Sequence, residues 1–292
     1  MSVPELDQRR SFHLDDGRVR GQLVRLDSSL AEVLSHHHYP AAVAGLIGEA
    51  LAAAVLMGAT LKFSGALSLQ ARSSGPVALL FAECREQWLV RGFARVQAGS
   101  ADGDLGQLLR GGTLAITISP ERGERYQGIV PLDAGSLAPC LEHYFLQSEQ
   151  LPTVLRLACD GRRAAGLLLQ ALPARPSAPA PVGRWEHLST LAGTTRPGEL
   201  LSDPFETLLY HLFHQERVRL HDGEAVRFGC SCSAARAADT LRALGEPEAR
   251  DVLRERGLVQ IHCEFCQQEY RFDSAAIDQL FREGLAGSRT VH

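Results

Sequence analysis

The chain has 292 residues, of which 45% are hydrophobic and 22% are charged, and its formal net charge is -4 at pH 7. This composition is typical of a globular protein with up to two domains, and it excludes a collagen-like, coiled-coil or wholly disordered chain. The slight excess of acidic residues also removes the attraction that drives non-specific nucleic-acid binding. We therefore expect a globular protein without a nucleic-acid partner.

The first part of the chain carries no targeting pattern. Residues 1–25 alternate charged and apolar side chains, without the basic start and apolar run of a secretory signal, so we expect a cytoplasmic protein. Residues 41–61 are long enough to cross a membrane, but they contain Glu49 and are dominated by Ala and Gly. We interpret this stretch as a buried core helix and expect no membrane partner.

The segment from residue 21 to about residue 173 mixes short strands with two long helices. Several strands follow one another across turn residues alone, which favours hairpins and a mostly antiparallel sheet. The predicted strands are residues 21–26, 66–71, 77–84, 88–96, 113–119 and 125–131. The predicted helices, residues 40–61 and 137–150, would cover the sheet. The sequence therefore predicts an α+β fold.

A proline-rich run between Leu172 and Val182 separates this segment from the rest. Prolines cannot propagate a helix or a central strand, so we place a domain boundary there. After it, Asp203 and Pro204 are predicted to cap and begin a helix. Its apolar residues fall on one face: Phe205, Leu208, Leu209, Leu212 and Phe213. We interpret this face as packed on the first domain; the alternative is a surface that becomes adhesive when released.

Residues 230–292 form a small unit with its own caps and strands. Ser233 is predicted to cap a first helix and Ser274 a last one. Between them, strands at residues 259–261 and 270–272 flank a short turn as a β-hairpin.

Four of the seven cysteines lie in this small unit as two close pairs. A C-x-C pair and a C-x-x-C pair separated by a helical insert can bring four thiolates together, which suits tetrahedral zinc with Zn–S distances of about 2.3 Å. Sulfur ligands exclude magnesium and calcium, and an iron–sulfur cluster is the alternative. We predict one Zn²⁺ held by Cys230, Cys232, Cys263 and Cys266. The other three cysteines stand among apolar residues and are interpreted as core residues: Cys84, Cys140 and Cys159.

The proposed zinc would matter for folding as well as for binding. A unit of about 60 residues obtains about 3–5 kcal/mol from its core, whereas structural zinc supplies about 10–16 kcal/mol of apparent binding energy. Loss of the metal should therefore unfold the unit. Because oxidants attack thiolates, the unit is also a candidate for an oxidant-triggered switch.

No other motif indicates a site. His36, His37 and His38 are consecutive, so their side chains diverge, and we do not expect them to bind a metal. The sequence contains no nucleophile elbow, phosphate-binding loop, zinc-protease motif or dinucleotide fingerprint. We expect a protein that is not an enzyme.

Several stretches together carry a family resemblance: Phe228-Gly-Cys-Ser-Cys-Ser233, His262-Cys-Glu-Phe-Cys266, Tyr39-Pro40, Leu61-Lys-Phe-Ser-Gly65, Tyr126-Gln-Gly-Ile-Val130, Tyr144-Phe-Leu-Gln-Ser-Glu-Gln150 and Gly166-Leu-Leu-Leu-Gln170. With these motifs in this order, nearly the whole chain resembles the redox-regulated heat-shock protein 33 family of stress-response holdase chaperones, the 33 kDa chaperonin of bacteria.

This resemblance implies an organisation and a mechanism. Residues 1–173 would be a core domain, residues 174–229 a linker with a helical stress-sensing region, and residues 230–292 a zinc-binding redox-switch domain. Such proteins are zinc-bound, monomeric and inactive when reduced. On oxidation, disulfides would join Cys230 to Cys232 and Cys263 to Cys266. Zinc would then leave, and the linker would unfold and expose surface that captures unfolding client proteins, with homodimers favoured.

Two other functions stay open on the residues alone. One is a thiol–disulfide oxidoreductase using Cys263 and Cys266, although this pair lacks the strand-to-helix context of a thioredoxin. The other is a nucleic-acid-binding zinc module. Residues 230–292 contain ten acidic residues against eight arginines, which counts against the second.

Overall fold

The structure is a computed structural model that describes residues 6–14, 18–61, 64–97, 102–173 and 183–287. It divides into two compact units, Met1–Gly229 and Cys230–His292. Most of the predicted proline-rich boundary, residues 174–182, lies outside the described residues.

Among the described residues of the first unit, eleven strands form two sheets: β1 Gln8–Leu14, β2 Val19–Leu26, β3 Gly65–Arg72, β4 Val77–Arg85, β5 Leu89–Val96, β6 Thr113–Pro120, β7 Tyr126–Pro131, β8 Thr153–Cys159, β9 Ala164–Ala171, β10 Val218–Ala225 and β11 Arg227–Phe228. The accompanying helices are α1 Ser28–Ser35, α2 Ala41–Gly58, α3 Leu105–Leu108, α4 Leu137–Tyr144, α5 Arg184–Gly193, α6 Pro197–Ser202 and α7 Phe205–Phe213.

The two sheets are almost entirely antiparallel. The five-stranded sheet has the order β10-β1-β2-β9-β8, and the six-stranded sheet has the order β11-β5-β4-β3-β6-β7. The short pairing of β11 with β5 is parallel. The predicted α+β class is therefore confirmed, with two sheets where a single one was expected.

Helix α2 forms the centre of the first unit, between the two sheets. Its side chains belong to one buried cluster with residues of both sheets, including Leu69 of β3 and Leu168 of β9. Small residues let the layers approach closely, since a Cβ atom added at Gly48 would lie 2.5 Å from Cys159 Sγ. By length and composition α2 could cross a membrane, but 67% of it is buried inside the unit, as the core-helix interpretation requires.

The opposite face of the five-stranded sheet is covered by helices α5 to α7. The predicted apolar face of α7 is buried there, with Leu212 6% exposed and Phe205 fully buried. It packs in one cluster with Phe12, Leu23 and Leu167 of the sheet. The interpretation that this face packs on the first domain is confirmed.

The predicted start of α7 is wrong in one detail. The Asp203 side chain forms no cap, and the helix begins at Phe205 after Pro204. Asp203 instead ends α6, and its backbone carbonyl accepts a 2.7 Å hydrogen bond from the buried Arg25 guanidinium.

Four strands of the five-stranded sheet were not predicted: β1, β8, β9 and β10. Strand β9 is buried along almost its whole length, because α2 covers one face and α5 to α7 the other. A strand buried on both faces has no alternating pattern to detect. Strands β10 and β11, like α5 to α7, come from the segment interpreted as the linker and form part of the first compact unit.

The second unit contains helices α8 Ala234–Leu244, α9 Glu246–Arg256 and α10 Ser274–Gly287 and the hairpin β12 Val259–His262 with β13 Glu269–Phe272. Ser233 caps α8 as predicted, its side chain accepting a hydrogen bond from the Arg236 amide. The last helix is capped one residue earlier than predicted, because Asp273 Oδ1 accepts from the Ala276 amide at 2.9 Å.

Candidate metal centre

The first cysteine pair lies directly before helix α8. Cys230 and Cys232 flank Ser231, whose carbonyl accepts a 2.8 Å hydrogen bond from the Arg236 guanidinium on the first turn of α8. Because Ser233 caps the same turn, the pair is attached to the start of a helix. Arg236 was not among the predicted site residues, since its role depends on the fold of this turn.

The second pair lies in the turn of the β12–β13 hairpin, as predicted. The Cys263 amide donates to the Gln268 carbonyl at 3.0 Å, and the Gln267 amide donates to the Cys263 carbonyl at 2.9 Å. Gln267 has a φ of 55°, the left-handed conformation that closes the turn. Cys266 is thereby brought back towards Cys263.

The structure brings all four sulfur atoms together. Cys230 Sγ lies 3.6 Å from Cys263 Sγ, and Cys232 Sγ lies 3.4 Å from Cys266 Sγ. All four lie within 4.8 Å of one another, and all four cysteines are free and half-buried. Four sulfurs at about 2.3 Å from one tetrahedral ion would be about 3.8 Å apart. The cluster can therefore hold a metal ion.

The sulfur separations favour one ion over a larger cluster. In an iron–sulfur cluster, several iron and sulfide atoms occupy the space between the cysteine ligands and hold them farther apart than a single ion does. The contacts of 3.4 and 3.6 Å leave room for one ion only.

Three thiols of the cluster, those of Cys230, Cys232 and Cys266, differ in their pKa. Burial raises the pKa of the Cys230 and Cys266 thiols. Burial also acts on Cys232, but hydrogen bonds from Tyr270 and Cys266 outweigh it and lower the Cys232 pKa to about 7. One thiolate is thus available near neutral pH. Tyr270 was not predicted to take part, and only the β12–β13 register places it beside the cluster.

The three remaining cysteines lie apart from this cluster, in the first unit. Cys84 and Cys140 are each 3% exposed, and Cys159 is half-buried against the core. Burial, together with the charge of Glu83, raises the pKa of Cys84 to about 12, and burial raises that of Cys159 to about 11. The core interpretation is confirmed for the two buried cysteines and holds in part for Cys159.

The three consecutive histidines contact different partners. The His36 ring packs on Phe228 with a centroid distance of 5.4 Å, and the His37 ring packs on Tyr39, also at 5.4 Å. Among the described residues, the one group of three or more potential metal-ligating side chains is the cysteine cluster.

Comparison with known proteins shows which family the sequence resembles. A family model described as "Hsp33 protein" matches residues 7–273. The chain is 52% identical over 291 residues to a 33 kDa chaperonin of Azotobacter vinelandii, which covers 98% of both chains. It is 49% identical over 280 residues to a 33 kDa chaperonin of Pseudomonas aeruginosa, which covers 94% of both chains.

The fold also matches a solved structure. A crystal structure of a 33 kDa chaperonin from Thermotoga maritima superposes with a TM-score of 0.83 at 20% sequence identity, covering 96% of this chain and 99% of the other. This similarity establishes the fold, and the match of the family model over most of the sequence establishes the family. The chain belongs to the Hsp33 family.

Proposed function

We propose that the protein is a redox-controlled holdase chaperone, inactive when reduced and metal-bound and active after oxidation. The observation that carries the proposal is the group of four free cysteines in a unit with a very small core. The chaperonin names of its relatives support the chaperone activity.

The proposed metal is zinc, with Cys230, Cys232, Cys263 and Cys266 as its ligands. Four thiolate donors at tetrahedral spacing fit this ion. A bound Zn²⁺ would supply about 10–16 kcal/mol of folding energy to the second unit. Among the described residues of that unit, six apolar side chains are buried: Ala237, Leu241, Ala249, Val259, Ile277 and Leu280.

Oxidation would remove the ligands of the ion. Two thiolates lose two electrons to one molecule of hydrogen peroxide, which takes up two protons and becomes two waters, and the sulfurs join in a disulfide. We propose that Cys230 pairs with Cys232 and Cys263 with Cys266. In the folded unit the shortest sulfur contacts join Cys230 to Cys263 and Cys232 to Cys266. The proposed pairing joins cysteines that are neighbours along the chain, and it becomes the favoured one as the unit unfolds, since short loops close most readily in an unfolded chain.

The coupling to the first unit would pass along the backbone. Cys230 follows directly after β11, a two-residue edge strand on β5, and the Gly229 amide donates to the Val90 carbonyl at 3.0 Å. Unfolding after residue 229 would release this short strand first. Strand β10 and helix α7 come next along the chain, and undocking of α7 would expose the apolar cluster under it.

The active form would bind unfolding client proteins through this exposed apolar surface and would associate as a homodimer. Apolar surface released from a core attracts other apolar surface, which explains both partners. We propose a cytoplasmic protein with no enzymatic activity, no nucleic-acid partner and no membrane partner.

The test compares the reduced and peroxide-treated protein in an aggregation assay with a thermally unfolding enzyme, while zinc release is followed with a chelating dye. We expect oxidation to release one zinc per chain and to suppress aggregation. Catalytic turnover of insulin disulfides without suppression of aggregation would support an oxidoreductase instead. Salt-dependent binding of DNA would indicate a nucleic-acid module.

A truncated chain tests whether the second unit inhibits the first. A chain shortened after about Leu220 would lose part of β10, which pairs with β1. The truncated chain should therefore end at Gly229, the last residue of the first unit. The chain ending at Gly229 should suppress aggregation without oxidant. A folded, soluble truncated chain without this activity would contradict the inhibitory role.

A further inference from the structure

Strand β7, Tyr126–Pro131, is an edge strand of unusual composition: its six residues carry no charge. The Leu132 amide donates to the Gly112 carbonyl at 3.0 Å, which fixes the alternation of the ladder with β6. The backbone groups of Gly128 and Val130 therefore point towards β6, and those of Gln127 and Ile129 point away from it. Within the described residues, nothing hydrogen-bonds to the outward backbone groups of Gln127 and Ile129.

The other three edges of the two sheets are protected. On β8, the Leu155 amide donates to Glu142 Oε1 at 2.7 Å, and the Leu155 carbonyl accepts from Arg156 Nη1 at 3.0 Å. Strand β11 is only two residues long, and on the part of β5 beyond it the Ala94 amide donates to Tyr39 Oη at 3.1 Å. Strand β10 carries three charged residues: Arg219, Asp222 and Glu224. Charges, short length and side-chain bonds are the usual means of preventing an edge from pairing with another chain. Strand β7 has none of them; its one proline, Pro131, is its last residue and leaves the outward groups of Gln127 and Ile129 unaffected.

The two faces of β7 differ, one packed on the unit and one exposed. The ring of Tyr144 packs against Gly128 so closely that an added Cβ atom would lie 2.6 Å from Tyr144 Cε2. Side chains alternate along the strand, so Ile129 lies on the opposite face, where it is 68% exposed. The strand thus presents one exposed apolar side chain beside free backbone donors and acceptors.

The length of β7 and its lack of charge indicate which kind of polypeptide can pair with it. A six-residue strand is about 20 Å long, too short by itself to bury the roughly 1,000 Å² of a stable dimer interface. An unfolding polypeptide offers the complementary ladder of backbone groups and needs only a transient partner. Because β7 has no charge to pair with a charged side chain, an uncharged segment fits it best.

We propose that the β7 edge receives an extended, uncharged segment of an unfolding client protein, which adds to the six-stranded sheet as a further strand. This inference rests on the proposed chaperone function and assigns it a recognition mode. Backbone hydrogen bonds do not depend on the client's sequence, so the edge suits a chaperone with many clients.

Two variants of Ile129 test the proposal in the full-length oxidised protein. Ile129→Lys adds a charge to the edge, and Ile129→Pro removes an outward N–H group without breaking the ladder to β6. Each should weaken binding of reduced, carboxymethylated α-lactalbumin, a permanently unfolded protein, about fivefold or more, the effect of one net hydrogen bond. Leu146→Lys is the control, since Leu146 is 57% exposed outside the strand. It should leave binding within about twofold of the wild type, as a surface change does.

Amide hydrogen exchange of the wild type tests the same point without relying on the folding of a variant. Addition of the unfolded α-lactalbumin should slow exchange at Gln127 and Ile129. If the oxidised wild type suppresses aggregation but both amides stay unprotected and both Ile129 variants bind normally, this inference alone is overturned. Protection that appears without client and with a doubled mass would assign the edge to a second copy and overturn it as well. If the oxidised wild type holds no client, the proposed function and the inference both fail.

Discussion

The two units of the chain differ in what can stabilise them. In the first, α2 is buried between two sheets, and a second cluster fills the space under α5 to α7. In the described part of the second, six buried apolar side chains support three helices and one hairpin. A core of that size supplies only a few kcal/mol. Under the proposed function, the fold of the second unit would depend on the metal held by its four sulfurs, and chemistry confined to those sulfurs would unfold one unit and leave the sheets of the other intact.

Helices α5 to α7 lie between these extremes. They pack on the first unit through an apolar face, but they cover only one side of one sheet, and α6 and α7 are short. Detaching an element that packs through one face costs less free energy than detaching a helix that is buried on all sides. This difference makes α7, and not α2, the element expected to respond to unfolding of the second unit.

The largest expected effect follows from breaking the cysteine cluster. Cys266→Ser removes one of the four proposed ligands, so zinc binding should weaken by several orders of magnitude and the second unit should unfold, while the first stays folded. Metal analysis and hydrogen exchange resolved for each unit measure both effects. Cys140→Ala, a change at a cysteine 3% exposed in the first unit, is the control and should keep the metal. A metal-free variant with a fully protected second unit would contradict the argument from core size.

A smaller effect is expected on the docked face of α7. Leu212 is 6% exposed, so Leu212→Gln buries an amide among apolar side chains and should cost about 2–4 kcal/mol of docking. Suppression of aggregation should then begin at a lower peroxide concentration. Tyr210→Gln on the same helix is the matched control, because Tyr210 is 69% exposed. Equal thresholds for both variants would show that docking of α7 does not limit activation.

Replacing a buried arginine should also weaken the packing of α6 and α7 on the first unit. Arg25 is fully buried on β2 and donates to the Leu200 and Asp203 carbonyls at 2.8 and 2.7 Å, with its guanidinium 4.9 Å above the Phe205 ring. Arg25→Met would leave these carbonyls without their donor, at a cost of about 1–3 kcal/mol for each buried group.

Amide hydrogen exchange in α7 should be faster in Arg25→Met than in the wild type. The ratio of the two rates measures the free energy of docking that is lost. The control is Arg162→Met, since the Arg162 side chain is 80% exposed. Unchanged exchange in α7 would mean that the apolar face alone holds the helix in place.

Local patterns in the sequence predicted the second unit well and the five-stranded sheet poorly. The Ser233 cap and the hairpin around Cys263 depend on neighbouring residues only, and both were found. Strand β9 was missed because burial on both faces removes the alternation that marks a strand. The spacing of the cysteines predicted that four sulfurs meet. It could not predict that Cys230 lies close to Cys263, because this contact joins segments 33 residues apart and depends on the tertiary packing of the unit.

The smallest expected effect concerns the cysteines outside the cluster. Cys140 is buried, and burial raises the pKa of Cys84 to about 12 and of Cys159 to about 11, so the thiols of Cys84 and Cys159 are hardly ionised at pH 8. Since oxidants and alkylating reagents attack the thiolate, the native first unit should react slowly. The triple variant Cys84→Ala, Cys140→Ala and Cys159→Ala should lose about 1–2 kcal/mol of stability for each methyl-sized gap and keep the peroxide threshold of the wild type. Mass spectrometry after a short iodoacetamide pulse measures the reactivity, and the aggregation assay measures the threshold. A folded triple variant that no longer responds to peroxide would place the oxidant sensor in the first unit and contradict its assignment to the second unit.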